Sequence, residues 1–174
     1  MVVPKATAKR KPKEQQKGNF KKAKKLQPPP GKQERQSQRK HADIVTDGKR
    51  IWNQLRLKSN TKEQQRALVE ELMPLVATDK AQEIALQHDG SRLVQSAIQF
   101  GNDEERKKIV ELLCAPKQES GNSNTIVELS KSQYAHFVVL KIFKYCHDKT
   151  SLPLMVTALK GHISKLAVHA TASR

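Results

Sequence analysis

Aromatic residues make up only 4% of this 174-residue chain, with one Trp, Trp52, among them. The two cysteines, Cys114 and Cys146, lack CxxC spacing, which excludes a disulfide framework and a zinc knuckle. The Cys146–His147 pair is weaker as a metal cue than as a core thiol beside a surface His. No run approaches the ~18 apolar residues of a membrane-spanning helix, and the N-terminus lacks the apolar core of a secretory signal. Both thiols therefore read as reduced, in an intracellular protein. The seven glycines form no phosphate-cradling loop. No paired carboxylates and no Ser or Cys with an activating base appear in a recognisable motif, so neither an enzyme nor a cofactor is expected, and no small-molecule substrate.

Acids are nearly missing from the first quarter. Residues 1–42 hold 14 Lys and Arg against Glu14 and Glu34 alone, so this arm carries +12 of the net +16. It has too few large apolar residues to offset the entropy of ordering and is expected to be disordered when free. Lys21, Lys22, Lys24 and Lys25 of "KKAKK", with Arg39 and Lys40, are expected to meet phosphate backbones, where counterion release drives binding. A membrane surface is the competing polyanion, but the arm has no amphipathic apolar face to insert. "KKAKK" also reads as a nuclear import signal.

Helical periodicity begins after "PPPG" (Pro28 to Gly31). Ile44, Val45, Ile51, Trp52 and Leu55 predict a leading helix interrupted near Gly48. "NTKE" (Asn60 to Glu63) predicts a capping box for a longer helix with the stripe Leu68, Leu72, Met73 and Val76, which Pro74 should kink or end early. Thr78 or Asp79 should cap a short helix with Ile84, Ala85 and Leu86, closed by Asp89 and Gly90. A helix from Ser91 presents Leu93, Val94, Ala97 and Ile98 and stops at Gly101. "NDEE" (Asn102 to Glu105) predicts a second capping box before Ile109, Val110, Leu112 and Leu113. The polar stretch Ala115 to Asn124 reads as an inserted loop. Three more helices follow, with Ile126, Val127 and Leu129, then Val138, Val139, Ile142 and Phe143, then a run opened by Ser151 with Pro153 in its first turn and ended by Gly161. A last short one holds Ile163, Leu166 and Ala167. No strand pattern occurs.

Aligning Gly90, Ala135 and Ala172 gives spacings of 45 and 37 residues. Removing the polar loop brings the period to roughly 36, that of a helical solenoid. The expectation is an all-α, right-handed α-solenoid. Its parts are a basic arm (1–42), capping helices (43–78), a first repeat (79–115), a loop (116–124), a second repeat (125–161) and the start of a third (162–174). Ending inside a repeat, the chain is expected to be the N-terminal part of a longer protein. Leu93, Val94 and Ile98, like Val138, Val139 and Phe143, should face the core. Ser91, Arg92 and Gln95, or His136, Phe137 and Leu140, should converge on one outward patch per repeat.

"DGSRLVQSAI" resembles the Pumilio-type Puf repeat, in which one repeat reads one RNA base. The resemblance implies that Ser91 and Gln95 bond a base edge and that Arg92 stacks on the base. In the second unit it puts His136 and Phe137 at the edge and stacking positions, with Lys141 beside them, and in the third Ser173 and Arg174. The departures are Asp89 at the usual aromatic position, Ala135 for Gly, and Leu140, which cannot bond a base edge. The basic arm, the long insertion and "GKRIWNQLRLKS" (Gly48 to Ser59) are similar to the nucleolar Puf-A branch of that family. That likeness implies binding of RNA or DNA with little base preference and a role in large ribosomal subunit biogenesis, with pre-rRNA, ribosomal proteins and assembly factors as partners.

Each of these residues also has a plainer reading. Arg92 can instead pair with Asp89 or Asp103, and Phe137 can cover the next repeat's groove. Trp52 reads as the anchor of the leading helix, and His88, His136, His162 and His169 as turn or helix-end residues. A HEAT- or armadillo-like peptide scaffold and a sequence-specific translational repressor are the rival functions. A Leu in the code argues against the second.

Overall fold

The computed structural model describes residues 40–116 and 124–173. Lys21, Lys22, Lys24, Lys25, Arg39, Arg174 and most of the polar loop lie outside these. Among the described residues the chain is helical, without strands. Its elements are α1 (Ala42–Leu55), α2 (Lys62–Val76), α3 (Ala81–Leu86), α4 (His88–Phe100), α5 (Asp103–Cys114), α6 (Thr125–Lys131), α7 (His136–Tyr145), α8 (Ser151–Leu159) and α9 (Ile163–Ala167). No described helix is long and apolar enough to cross a membrane.

Helices α3, α4 and α5 form one unit and α6, α7 and α8 the next. First packs on first, middle on middle and last on last. Stacking of like helices makes the fold an α-solenoid. The middle helices make a row, α4 on α7, which α1 extends by packing on the other side of α4. The core runs through the stack without a break. Leu93, Val94, Ala97 and Ile98 of α4 and Val138, Val139 and Ile142 of α7 are all buried in it. Burying one such aliphatic side chain contributes about 1.5–3 kcal/mol.

Several local expectations are corrected. Helix α1 runs unbroken through Gly48, which is buried against α4; a Cβ there would collide with the Leu93 side chain, so the glycine lets the two helices approach. The α2 cap is Thr61, one residue later than expected: its hydroxyl accepts from the Gln64 amide while the Gln64 side chain accepts from the Thr61 amide. Pro74 sits exposed within the last turn and α2 ends at Val76, three helical residues from the end being too few for a kink to matter. No side chain caps α3; Thr78 Oγ accepts from the Lys80 amide in the turn before it. Helix α4 begins at His88, three residues before Ser91. Gly90 lies within its first turn, where a Cβ would collide with the Ile84 carbonyl oxygen. Phe143 is 40% exposed, and Ile142 fills the core position expected of it.

Other features hold. Asn102 and Glu105 close their capping box at 2.8 and 2.9 Å. Ser151 opens α8, and Gly161 beyond its end adopts φ 78°, a left-handed conformation that favours glycine. His88 and His136 are the first residues of their helices, and His162 precedes α9. Cys114 and Cys146 are free, and burial pushes each thiol up to about 11.

Candidate nucleic-acid interface

The row α1–α4–α7 carries most of the residues expected to read a base, and two adjoining clefts along it share Arg92 and Gln95. The first, about 270 Å³, lies between the two units and is lined by His88, Ser91, Arg92, Gln95, Tyr134 and Phe137. Ser91 is buried, and its hydroxyl donates to the His88 carbonyl at 3.0 Å, so the outward patch in this unit consists of Arg92 and Gln95. Phe137 is 48% exposed and Tyr134 45%. Tyr134 meets the His88 ring edge-on, centroids 4.3 Å apart, which stiffens one wall. The cleft thus offers an aromatic face, a planar guanidinium and an amide, the groups that stack on a base and bond its edge.

The pairing of Arg92 with Asp89 or Asp103 does not occur. Lys49 donates to Asp89 at 2.7 Å and Arg106 to Asp103 at 2.9 Å. Burial opposes the charge on Asp89, but Lys49 and His88 outweigh it and hold the carboxyl below its ordinary range. Arg92 lies instead with its guanidinium carbon 5.5 Å from the Trp52 ring centre, and Arg56 lies 4.6 Å from the same ring. Trp52 is half-buried and packed on the core, so it anchors α1 and also presents its ring to two arginines.

This second cleft, about 410 Å³, is lined by Trp52, Arg56, Arg92, Gln95, Gln99 and Lys141. Lys141, half-buried, donates to Gln99 Oε1 and lies 5.3 Å from the Tyr145 ring centre, which Lys144 and Arg106 also approach. Lys141 therefore works with α4 rather than with its own unit's patch.

The second patch is divided. His136 Nδ1 is 3.0 Å from the Ser132 carbonyl and its ring lies 3.9 Å from that of Phe137. With Leu140, 51% exposed, it borders a pocket of only about 50 Å³ against Thr171 and Ala172. Ser173 is exposed in the final turn, where its amide donates to the His169 carbonyl at 3.0 Å. Lys40 is exposed, 3.5 Å from Glu83. Sequence reasoning did not assign Trp52, Arg56, Gln99 or Tyr134 to the interface. The i, i+4 spacing of Trp52 and Arg56 was the signal available for the first two.

Stacked three-helix units with outward polar residues on the middle helix match a known repeat. The model of the Pumilio-family RNA binding repeat matches residues 80–114 and 126–155. This chain belongs to the Pumilio-repeat family. It is 36% identical over 143 residues to human Pumilio homolog 3, covering 82% of this chain and 20% of that protein. It is 34% identical over 113 residues to Pumilio homology domain family member 6 of Schizosaccharomyces pombe, covering 64% of this chain and 16% of that protein. The crystal structure of human Puf-A in complex with DNA aligns with TM-score 0.66 at 35% identity, covering 78% of this chain and 25% of that one. The chain thus spans about a fifth of the length of human Pumilio homolog 3. The leading helix α1, with Trp52, and Arg56 just beyond its end lie outside the matched repeats.

Proposed function

We propose that this chain is the RNA-binding part of a non-catalytic assembly factor of the large ribosomal subunit, working in the nucleus and nucleolus. It grips pre-rRNA mainly by backbone and shape, and it binds DNA without base preference. The observation that carries this reading is the row α1–α4–α7, where an aromatic face and cations adjoin while the second patch has Leu140 where a base-reading side chain is needed. Stacking and charge are sequence-tolerant; an edge-reading code with a Leu in it is not. Likeness to human Pumilio homolog 3 and to the DNA-bound Puf-A supports the choice of ligand. The basic arm adds salt-dependent affinity, and the exposed outer helices are left for ribosomal proteins and other assembly factors.

Filter-binding titrations of unrelated RNAs at two salt concentrations test it. Comparable affinities with a steep salt slope are expected, each phosphate contact on a single strand contributing about −0.7 to the log–log slope. Preference for one sequence would instead make the chain a sequence-specific repressor. Loss of all RNA binding on removal of residues 1–39 would make the helices a peptide scaffold.

A further inference from the structure

Five arginines fall among the described residues, and three of them are committed to carboxylates: Arg50 to Glu71, Arg66 to Glu70 and Glu105, Arg106 to Asp103. The other two, Arg56 and Arg92, have no carboxylate within ion-pair distance among the described residues, and both lie over the Trp52 ring, at 4.6 and 5.5 Å. Arg56 directly follows α1 and Arg92 lies in α4, 36 residues on in sequence, and they meet only because α1 packs on α4. Lys141 of α7 enters the same cleft, likewise without a described carboxylate partner, and no acidic residue lines it.

Three cations gathered in one concavity repel each other, and the fold supplies no described counter-charge. An indole ring attracts a guanidinium through its face, leaving the in-plane N–H donors free. Two such guanidinium groups beside an ammonium suit a tetrahedral oxyanion, which accepts paired N–H bonds from arginine. The amide groups of Gln95 and Gln99 line the same cleft and can bond a neighbouring sugar or phosphate oxygen.

We infer that the Trp52–Arg56–Arg92–Lys141 cleft is a phosphate clamp, taking a backbone phosphate of the nucleic-acid strand. The inference rests on the nucleic-acid-binding reading above and adds a site whose key residues, Trp52 and Arg56, lie outside the matched repeats. The strand would leave the inter-unit cleft past Arg92 and be held at α1. Every contact there is to phosphate or sugar, so the clamp contributes affinity and register without base preference.

Trp52 is the only Trp in the chain, so its emission reports on this cleft alone. The full chain is titrated with a single-stranded RNA 12-mer, with the same strand carrying neutral methylphosphonate linkages, with tripolyphosphate and with polyglutamate, following Trp52 emission and RNA anisotropy. RNA should change the emission saturably and the neutral strand should not. Arg56→Gln, at an exposed position, should keep the fold by circular dichroism, lose about tenfold in RNA affinity at low salt and lower the salt slope by about 0.7.

Wild-type RNA affinity and slope in Arg56→Gln, or emission unchanged at RNA saturation, would overturn the clamp while leaving RNA binding intact. An equal response to polyglutamate would overturn its phosphate chemistry. Should the wild-type chain bind no RNA, the functional reading fails, and tripolyphosphate decides the cleft separately. A saturable response lost in Arg56→Gln supports a phosphate site, and no response overturns it.

Discussion

Arg66 of α2 closes a two-point bond with Glu105 of α5, donating from Nη1 to Oε2 at 2.7 Å and from Nη2 to Oε1 at 2.6 Å. The same carboxylate accepts from the Asn102 amide at 2.9 Å as half of the capping box that starts α5. One side chain thus caps the start of a helix and ties the leading pair α1–α2 to the first repeat. Because Glu105 is mostly shielded, the pair stands above the ordinary surface ion pair, whose worth is about 0–1 kcal/mol.

Arg66→Ala is expected to destabilise the chain by about 1–2 kcal/mol, since it leaves a partly buried carboxylate half-satisfied. Urea denaturation measures this. Glu105→Gln, which keeps the shape but weakens both roles, should cost a similar amount. A double variant costing much less than the two singles together is the expected sign of direct coupling.

Arg66 chiefly, with the Asn102 amide, holds the Glu105 carboxyl below its ordinary value of 4.5. A carboxylate depressed in the folded state binds its proton more readily when unfolded. Its stabilising contribution is therefore complete above pH 4.5 and is lost as the pH falls through the lower folded value. Melting temperature followed from pH 6 to about pH 3 should fall more steeply in the wild type than in Arg66→Ala.

The two interhelical glycines should differ in tolerance. A Cβ at Gly90 meets a backbone carbonyl, that of Ile84, which can move only with α3. One at Gly48 meets the Leu93 side chain, which can change rotamer. Gly90→Ala is expected to destabilise by about 1–3 kcal/mol and Gly48→Ala by less, as read from chemical denaturation.

Phe137→Ala should weaken single-stranded RNA binding by about 1–3 kcal/mol with the salt slope unchanged, as loss of a stacking face requires. Leu140→Ala should leave both unchanged. Anisotropy titrations at several salt concentrations separate the two terms.

Cys114 and Cys146 should resist alkylation at pH 8 in the folded chain and react quickly in denaturant, because burial raises each thiol to about 11 and the thiolate is the reactive form. The rate of iodoacetamide labelling with and without urea checks this.

Features that depend on neighbours within one helical turn were legible before any coordinates. Asn102 and Glu105 lie three residues apart, so their capping box is written in the chain. The stripe Leu93, Val94, Ala97 and Ile98 follows the helical period, and these residues are buried as expected. The repeat of this stripe at Val138, Val139 and Phe143 announced the solenoid, although Ile142 and not Phe143 is the residue buried. Local reasoning misplaced Phe143 because it and Ile142 flank the edge of one apolar face, and neighbouring helices decide which of the two is covered.

What the amino-acid order determined by itself was the helical class, the repeat, most of the core and the cationic excess, all set by composition and by contacts spanning a few residues. The tertiary structure alone decided the partners of Arg92 and Glu105. Trp52 is 40 residues from Arg92, and Arg66 is 39 from Glu105. Such pairs form only where packed helices bring distant turns together, since a side chain's reach spans the gap between neighbouring helices but carries no record in the local sequence of which neighbour will be there.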